Sequence, residues 1–378
     1  MKRNKEKIIL SDLEKKMVFV TGPRQVGKTW LAKKVAESFL HPVYLNYDRL
    51  ADRKIIRNES WLSNTDLIIF DEIHKMKDWK NYLKGVFDTR EEKLRILITG
   101  SARLETFHKA GDSLAGRYFL HHLLPFTPFE VAGRAEDLNP NILSEGGFPE
   151  PLLSYSERFV KRWRNFYING LLREDVADLT KLAKNKELEL LLELLRQRVC
   201  SPVSFSSLST DLQISPNTVK RYIEILEALY IVFRVTPFSN NIARSILKEP
   251  KLYFYDTGMV IGDAGQKLEN AVAVSLMDYT FRQYEEMGEI SGLHYIRTKE
   301  KKEIDFCLTK SVNPILFLEV KNSDYNLSKT LCDFSIKYKV KAVQLVGNLK
   351  RERIENDIEI RDVTRFLTEE LATEGVRV

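Results

Sequence analysis

The stretch MVFVTGPRQVGKTW, residues 17–30, decides the fold of the first third of the chain. Residues 17–20 are apolar and predict a buried strand, and a helix is predicted after Lys28 and Thr29. The spacing Gly-x4-Gly-Lys-Thr between them is typical of a loop whose backbone N–H groups surround phosphates at the positive end of a helix. We therefore expect a nucleotide to contact Gly22, Pro23, Arg24, Gln25, Val26, Gly27, Lys28, Thr29 and Trp30.

A second motif, DLIIFDEIHKM at residues 66–76, is an apolar strand that ends in two acids. We expect Lys28 to reach the terminal phosphates, while Thr29 and Asp71 hold Mg²⁺, Asp71 through water. Glu72 is placed to polarise an attacking water, which favours hydrolysis of ATP over storage of bound nucleotide. His74 follows closely, and the sequence assigns it no role.

Two further strands complete the predicted site. LRILITGSARL, residues 94–104, brings Thr99 and Ser101 to the carboxyl end of a strand, where open α/β sheets bind ligands, and Ser101 suits a sensor of the γ-phosphate. AGRYFLHHLLPF, residues 115–126, predicts a last strand directly after Arg117. This strand order, with an arginine at this point, resembles AAA+ ATPases, in which such a residue acts as a catalytic arginine on the nucleotide of a neighbouring subunit, so that Arg117 implies a homo-oligomer. The alternative is an arginine paired within its own chain.

Composition restricts the alternatives only weakly. The 378 residues are 43% hydrophobic and 30% charged, with a net charge of +6, so affinity for nucleic acid has to come from local patches. No apolar run approaches a membrane span, the first residues lack the pattern of a signal peptide, and the three cysteines are scattered. We expect a soluble cytoplasmic protein without a membrane partner.

The middle of the chain lacks strand alternation and predicts helices, with Leu188, Leu191, Leu192 and Leu195 as a buried stripe. After it, residues 204–238 predict a short helix, a turn, a helix that begins at Ser215-Pro216, and a strand, as in a winged helix. The outward residues of the second helix are then contacts for DNA, although winged helices also bind proteins. These residues are Asn217, Thr218, Lys220 and Arg221.

The stretch EIDFCLTKSVNPILFLEVK, residues 303–321, predicts a hairpin in which paired residue numbers sum to 624. This register pairs apolar residues on one face (Ile304 with Val320, Phe306 with Leu318, Leu308 with Leu316). On the other face it sets Asp305 opposite Glu319, with Lys321 on the same side. Like charges this close destabilise a sheet unless a cation lies between them.

We therefore expect Asp305 and Glu319 to bind Mg²⁺, with Lys321 positioned to activate water and Glu269, on an upstream helix, as a third acid. Such a site would cut a phosphodiester bond. The alternative keeps the carboxylates slightly apart, with Lys321 neutralising Glu319, and leaves a site without catalytic activity.

The motifs GPRQVGKTW, FDEIHKM, ITGSARL, LAGRYFLHHLLPF, GGFPEP and PKLYFYDTGM together resemble a bacterial and archaeal family of AAA-type (AAA+) ATPases that carry a C-terminal domain of restriction-endonuclease-like, PD-(D/E)XK fold. The resemblance implies an α/β P-loop core with a parallel sheet at residues 1–135 and a helical lid or linker at 136–200. It also implies a winged-helix-like module at 201–240 and a restriction-endonuclease-like α/β domain at 241–378. It leaves open an ATP-driven enzyme on branched or broken DNA, or a nucleotide-dependent switch that binds a protein and has an inactive nuclease-like domain.

Overall fold

The computed structural model describes residues 3–100, 114–131, 141–176, 186–239, 248–323 and 326–371. The chain falls into two compact units, Met1–Leu124 and Pro125–Val378. Ser101, predicted as a phosphate sensor, lies outside the described residues.

The first unit is built on a parallel sheet of five strands in the order β2-β3-β4-β1-β5. The strands are β1 Met17–Thr21, β2 Pro42–Asn46, β3 Leu67–Asp71, β4 Arg95–Thr99 and β5 Tyr118–His122. The helices are α1 Glu6–Leu13, α2 Lys28–Ala36, α3 Leu50–Asn58 and α4 Trp79–Thr89.

Strands β1 and β3 are buried along their whole length, as expected for a parallel sheet covered on both faces. On one face of the sheet, Val18, Val20 and Ile69 pack against Leu31 of α2. On the other face, Phe19 of β1 and the alternate residues of β3, Ile68 and Phe70, pack against α4. In the part of the chain that the structure describes, strands are observed where the sequence predicts them, at Met17–Thr21, Arg95–Thr99 and Tyr118–His122. Since all five strands are parallel, their carboxyl ends form a single edge, and the phosphate-binding loop follows β1 at that edge.

The second unit begins with helices. They are α5 Pro128–Val131, α6 Ile142–Glu145, α7 Pro149–Leu152, α8 Glu157–Gly170, α9 Lys186–Gln197, α10 Phe205–Leu212 and α11 Pro216–Ala228, followed later by α12 Ala264–Met287, α13 Lys329–Tyr338 and α14 Val363–Arg365. The predicted leucine stripe of α9 is buried. Ser215 caps α11 by accepting a hydrogen bond from Thr218 N, with Pro216 at the first helical position, as expected.

A mixed sheet of eight strands forms the centre of this unit, in the order β12-β13-β11-β10-β9-β8-β6-β7. Its strands are β6 Val232–Pro237, β7 Lys251–Phe254, β8 Ser291–Arg297, β9 Glu303–Lys310, β10 Asn313–Lys321, β11 Lys341–Val346, β12 Arg353–Glu355 and β13 Ile358–Asp362. The predicted order of helix, three strands, helix and strand is α12, β8, β9, β10, α13 and β11. The restriction-endonuclease-like fold itself stays a prediction.

The hairpin of β9 and β10 has the predicted register in its centre, with Phe306 opposite Leu318 and Leu308 opposite Leu316. A bulge between Pro314 and Leu316 shifts the pairs nearer the turn by one residue. The predicted Ile304–Val320 pair is not part of the observed ladder, and the N–H of Val320 instead donates to the carboxylate of Asp305 at 2.9 Å.

Both faces of this hairpin are buried. Phe306 and Leu318 are fully buried on one face, while Cys307 and Phe317 pack with Leu331 of α13 on the other. The hairpin is therefore part of the core of the unit, and of its carboxylates Glu319 is buried whereas Glu303 and Asp305 are partly buried.

The predicted boundary at 240/241 is crossed by the sheet, because β6 pairs with β8 at Thr236 and His294 as well as with β7. The proposed division into domains stays a prediction. Among the described residues, no helix combines the length and apolarity that crossing a membrane requires.

Candidate nucleotide site and carboxylate site

The phosphate-binding loop adopts a conformation that its glycines make possible. Gly22 has φ +143, and a side chain there would bring a Cβ to 2.2 Å from the carbonyl oxygen of Leu123. Gly27 has φ +98 with open space around its missing Cβ, and Gln25 also has a positive φ of 58. The loop is thus held in a tight curve at the beginning of α2, where backbone N–H groups and the helix dipole favour an anion.

The ammonium group of Lys28 is folded back onto this loop. Its Nζ donates to the carbonyl oxygens of Gly22 at 2.9 Å and Pro23 at 2.6 Å, and the side chain is buried. Val26 is fully buried in the core below, so only its backbone is available to a ligand, whereas Trp30 is exposed. A phosphate would have to replace the two carbonyl oxygens as the partner of Lys28.

Asp71 is the polar centre of the site, because three hydroxyl groups donate to its carboxylate. Thr99 donates to Oδ1 at 2.7 Å, Thr29 donates to Oδ2 at 3.2 Å, and the hydroxyl of Tyr44 also donates to Oδ2. Burial, followed by the contact with Asp71, raises the pKa of Tyr44, so its hydroxyl stays protonated as a donor. The predicted neighbourhood of Thr29 and Asp71 is therefore observed.

Glu72 follows Asp71 in a left-handed conformation with φ 57, which is unusual for a residue with a side chain. Its Oε2 lies 3.5 Å from His74 Nε2 and 3.4 Å from Lys75 Nζ. Burial raises the pKa of Glu72, against the opposing charge of Lys75. A carboxylate held in a strained turn with a raised pKa suits a general base, and His74, to which the sequence assigned no role, is one of its neighbours.

Arg117 pairs within its own chain. Its Nε and Nη2 donate to the two carboxylate oxygens of Asp88 at 2.8 and 3.0 Å, which raises the pKa of Arg117. It precedes β5, and its carbonyl oxygen accepts a hydrogen bond from Met17 N, at the amino ends of the strands. Since the phosphate loop lies at the carboxyl ends, Arg117 is on the far edge from its own nucleotide site, and any catalytic role would be on another subunit.

Helix α11, which the sequence predicts to contact DNA, buries its apolar residues and exposes three of its four predicted contact residues. Val219, Tyr222, Ile223 and Leu226 are buried, while Asn217, Lys220 and Arg221 are exposed. Thr218 differs, because it is only half-exposed and its hydroxyl is bonded to that of the capping Ser215 at 2.9 Å. Its first role is therefore in the helix cap.

In the second unit, the carboxylate site is organised around a lysine that the sequence analysis missed. Lys251, the first residue of β7, is 1% exposed. Its Nζ lies 2.7 Å from Glu303, 3.2 Å from Glu269 and 3.7 Å from Asp305. Burial opposes the charge of Lys251, but the three carboxylates outweigh it and raise the pKa of the lysine, so its ammonium is charged.

Around this lysine, Glu269 and Asp305 converge as predicted from two different elements. Glu269 extends from α12 and also accepts a hydrogen bond from the hydroxyl of Tyr253 at 2.7 Å. Burial, and next the negative charge of Asp305, raises the pKa of Glu269 to about 7. The negative charge of Asp305 thus disfavours ionisation of Glu269, and the ammonium group of Lys251 opposes this effect.

Glu319 and Lys321 form the other side of the site. The Nζ of Lys321 donates to Glu319 Oε1 at 2.8 Å. This pairing is the one expected if Lys321 neutralises Glu319 and the site has no catalytic activity. Burial and then the charge of Asp305 raise the pKa of Glu319 to about 7. Its second oxygen, Oε2, is buried and accepts no hydrogen bond from the described residues.

This oxygen indicates that a divalent cation would fit the site. A buried carboxylate oxygen without a hydrogen-bond donor raises the free energy of the folded state, and a cation would compensate for the missing donor. Asp305 and Glu319 are the residues that would hold it. Across the described ranges, however, no group of three or more His, Cys, Asp or Glu side chains has the arrangement of a complete metal site. The protein would therefore supply few ligands, and water or phosphate would have to supply the rest.

The residues that sequence reasoning missed have weak signals. Tyr44 lies in a strand without a motif, and only its tertiary position at Asp71 gives it a role. Lys251 begins the apolar run KLYF. A charged residue in a buried strand is rare unless it is paired, so a lysine at this position was the sequence feature that could have indicated an ion pair.

Comparison with known proteins gives its most direct result for the first unit, which matches a described family model. Residues 14–132 match the family model described as an AAA domain, and residues 136–267 match one described as a domain of unknown function. An uncharacterized protein of Mycobacterium tuberculosis is 28% identical over 326 residues, which cover 83% of this chain and 72% of that protein. An uncharacterized protein of Methanocaldococcus jannaschii is 24% identical over 346 residues, covering 80% and 76%.

Among solved structures, a Walker-type ATPase of Pyrococcus abyssi is similar at 14% identity and a TM-score of 0.42, covering 68% of this chain and 94% of its own. A RuvB variant of Thermotoga maritima has 18% identity and a TM-score of 0.33, covering 61% and 87%. Both scores are too low to bear on activity or partners. On the family match and the loop geometry, residues 14–132 are an AAA-type, ATPase-like domain.

Proposed function

We propose that this chain is an ATP-hydrolysing AAA-type enzyme that acts on DNA, with branched or broken ends as substrates. The observation that carries the proposal is the convergence of Thr29, Tyr44 and Thr99 on Asp71, directly beside the phosphate-binding loop. Thr29 in the loop and Asp71 at the end of β3 are the residue types, at the positions, from which P-loop enzymes hold the Mg²⁺ of a bound nucleotide.

In the hydrolytic step, Lys28 leaves the carbonyl oxygens of Gly22 and Pro23 and pairs with the terminal phosphates. Thr29 and Asp71 would hold Mg²⁺, Asp71 through water, and the ion would neutralise charge on the phosphate oxygens. Glu72 accepts a proton from the attacking water, and its raised pKa favours this transfer. Ser101 senses the γ-phosphate, and Arg117 acts on the neighbouring subunit of a homo-oligomer after leaving Asp88.

Action on DNA is supported by the exposed polar face of α11. Lys220 and Arg221 are exposed, and no ion pair holds either of them within the described part of the chain, so both are available for phosphates. Asn217 extends from the first turn of the same helix. Helices α10 and α11 with strand β6 then serve as a winged helix on duplex DNA.

The carboxylate site is the second chemical component. Asp305 and Glu319 would hold Mg²⁺, with Glu269 as a third acid beside them, and Lys321, which donates to Glu319, would orient water at a phosphodiester bond. When bound, the metal ion would polarise the phosphate and lower the pKa of a bound water. The unsatisfied Oε2 of Glu319 supports this role.

A second function is favoured by a specific observation. Lys251 and Lys321 already neutralise much of the carboxylate site without a metal ion. The same chain would then be a nucleotide-dependent switch with an inactive nuclease-like unit, and α11 would bind a protein.

Stimulation of ATP hydrolysis by DNA distinguishes the two functions. We expect the rate of phosphate release to rise with single-stranded, duplex or junction DNA, and the Lys220→Ala/Arg221→Ala variant to lose the stimulation by duplex DNA while its basal rate is kept. A rate that no DNA changes would contradict the proposal and favour the switch.

A further inference from the structure

Helix α8, Glu157–Gly170, has an inward face that fixes it firmly in the second unit. Val160, Trp163 and Tyr167 are buried, and the last two rings stack on each other with centroids 4.9 Å apart. Both rings also contact Phe148, at 5.2 and 5.0 Å. The orientation of the helix is therefore set by an aromatic core, and its other faces are fixed with it.

The neighbouring face carries aromatic rings that the fold does not use. Phe159 is 43% exposed and Phe166 is 72% exposed, and Tyr155, just before the helix, is 76% exposed. Because Phe159 and Phe166 are seven residues apart, they lie on the same side of the helix, about 10 Å apart along its axis. Such an exposed row of large rings indicates a surface that meets a partner.

Positive charge lies among these rings. Arg162 is exposed and falls between the two phenylalanines, and Arg158 is exposed on the adjoining side. Lys161 pairs with Glu157 at 2.7 Å, but within the described ranges neither Arg158 nor Arg162 has a carboxylate partner. Two guanidinium groups that form no ion pair in the described part of the chain therefore accompany the row of rings.

The chemistry of this face restricts its partner. A second copy of the same face would bring Arg158 and Arg162 against themselves, so like charges oppose self-association. A polyanion with flat, exposed rings satisfies both features at once, because bases stack on the phenylalanines while phosphates meet the arginines. In a duplex the base faces are covered by their neighbours, so only unpaired nucleotides offer them.

We infer that this face of α8 binds single-stranded nucleic acid. Phe159 and Phe166 stack with bases and span about three nucleotides of a stacked strand, and Arg158 and Arg162 contact its phosphates. The inference rests on the proposed action on DNA, but it uses a surface separate from the predicted contacts of α11. It also specifies that the DNA substrate contains a single-stranded part.

The test measures the affinity of the full chain for a fluorescein-labelled oligothymidine and for a hairpin duplex by fluorescence anisotropy. We expect Phe159→Ala/Phe166→Ala to weaken binding of the single strand by about tenfold per ring and to leave the duplex unaffected. Tyr284→Ala is the matched control, because Tyr284 is 64% exposed on α12, and its affinity should equal that of the unaltered chain.

Two further variants separate stacking from simple apolar contact. Phe159→Trp/Phe166→Trp should keep the affinity, whereas Phe159→Leu/Phe166→Leu should lose it although the side chains remain apolar.

In Arg158→Ala/Arg162→Ala, the slope of log affinity against log salt should fall by about 1.4 for the single strand. Since all four positions are exposed, each variant should unfold thermally like the Tyr284→Ala control.

Equal affinities of the alanine and control variants for oligothymidine would overturn the inference. The same holds for retained affinity in the leucine variant, or for a change of assembly size without a change of affinity, which would identify the face as a protein interface. Binding of duplex but not of oligothymidine by the unaltered chain would overturn this inference alone. Failure to bind either DNA would overturn the proposed function as well.

Discussion

The nucleotide site and the carboxylate site use charge in opposite ways. In the first unit, Asp71 is surrounded by neutral hydroxyl groups, and Lys28 is held by backbone carbonyl oxygens that a phosphate can replace. In the second, Lys251 forms ion pairs with the acids themselves. A charged ligand can enter the first site without breaking an ion pair with Asp71, whereas a cation in the second must compete with a resident ammonium.

The largest expected effect separates binding from hydrolysis in the first site. Lys28→Ala should weaken ATP binding by about a hundredfold or more, because charged hydrogen bonds to phosphate are lost. Glu72→Gln should bind ATP normally and hydrolyse it about a hundred to ten thousand times more slowly. Calorimetry with ATP and a phosphate-release assay measure the two quantities. Equal loss of binding in both variants would show that Glu72 is misassigned.

In the second site, Lys251→Met should destabilise the unit by about 3–5 kcal/mol, because buried carboxylates lose their counter-charge. The control is Lys310→Met, which removes an exposed lysine paired with Glu289 at 2.6 Å and should cost under about 1 kcal/mol. Chemical unfolding measures both variants. Addition of Mn²⁺ should stabilise Lys251→Met more than the control. Similar losses in the two variants would contradict the role of Lys251 as the resident cation.

Asp305→Asn should abolish metal-dependent cleavage of DNA while the unit stays folded. The amide oxygen can still accept from Val320 N, and removal of a charge beside Glu269 and Glu319 relieves repulsion. Nuclease assays with Mg²⁺ and Mn²⁺, beside thermal unfolding in EDTA, check both parts. The control is Glu289→Gln, which changes a half-exposed carboxylate that pairs with Lys310 away from the site. Cleavage that persists in Asp305→Asn, with no divalent-ion binding by calorimetry, would remove the catalytic interpretation.

The exposed face of α11 is expected to contribute through phosphates alone. Lys220→Ala/Arg221→Ala should reduce the log–log salt slope of duplex binding by about two, roughly one for each lost contact. ATP affinity should not change. Lys337→Ala/Lys350→Ala removes the same charge from exposed positions of the second unit and serves as the control. An unchanged slope would take α11 out of the DNA interface.

The smallest effect concerns Tyr44. Tyr44→Phe removes one of three donors to Asp71 and should cost about 1 kcal/mol, visible as a higher Mg²⁺ requirement of ATP hydrolysis. Tyr82→Phe is the matched change, since that hydroxyl donates to the Ile56 carbonyl at 2.7 Å instead. If both variants have the same Mg²⁺ requirement, Tyr44 does not position Asp71.

Local pattern predicted those parts of the molecule whose residues are close in sequence. The loop at residues 22–29, the strand before Asp71, the cap at Ser215 and the central register of the hairpin all follow from spacing over a few residues. The contacts of Tyr44 with Asp71 and of Lys251 with Asp305 did not, because Tyr44 and Lys251 lie on strands that are distant in sequence from these acids and that only the tertiary fold brings near.

The register also shows why one prediction held only in part. Apolar pairs fixed Phe306 opposite Leu318, but the carboxylate of Asp305 took the N–H of Val320. A polar side chain at the end of a ladder can replace a backbone acceptor, and alternation of apolar residues contains no information about that exchange.

Strand β6 follows α11 after residues 229–231, where Tyr230 has a positive φ of 54, and it pairs antiparallel with β7, with Val235 directly opposite Lys251. Arg221 and Lys251 are thirty residues apart in the chain, yet one strand follows the helix of the first and pairs with the strand of the second. The surface proposed to contact DNA and the buried ion pairs of Lys251 are therefore joined through a single β-strand.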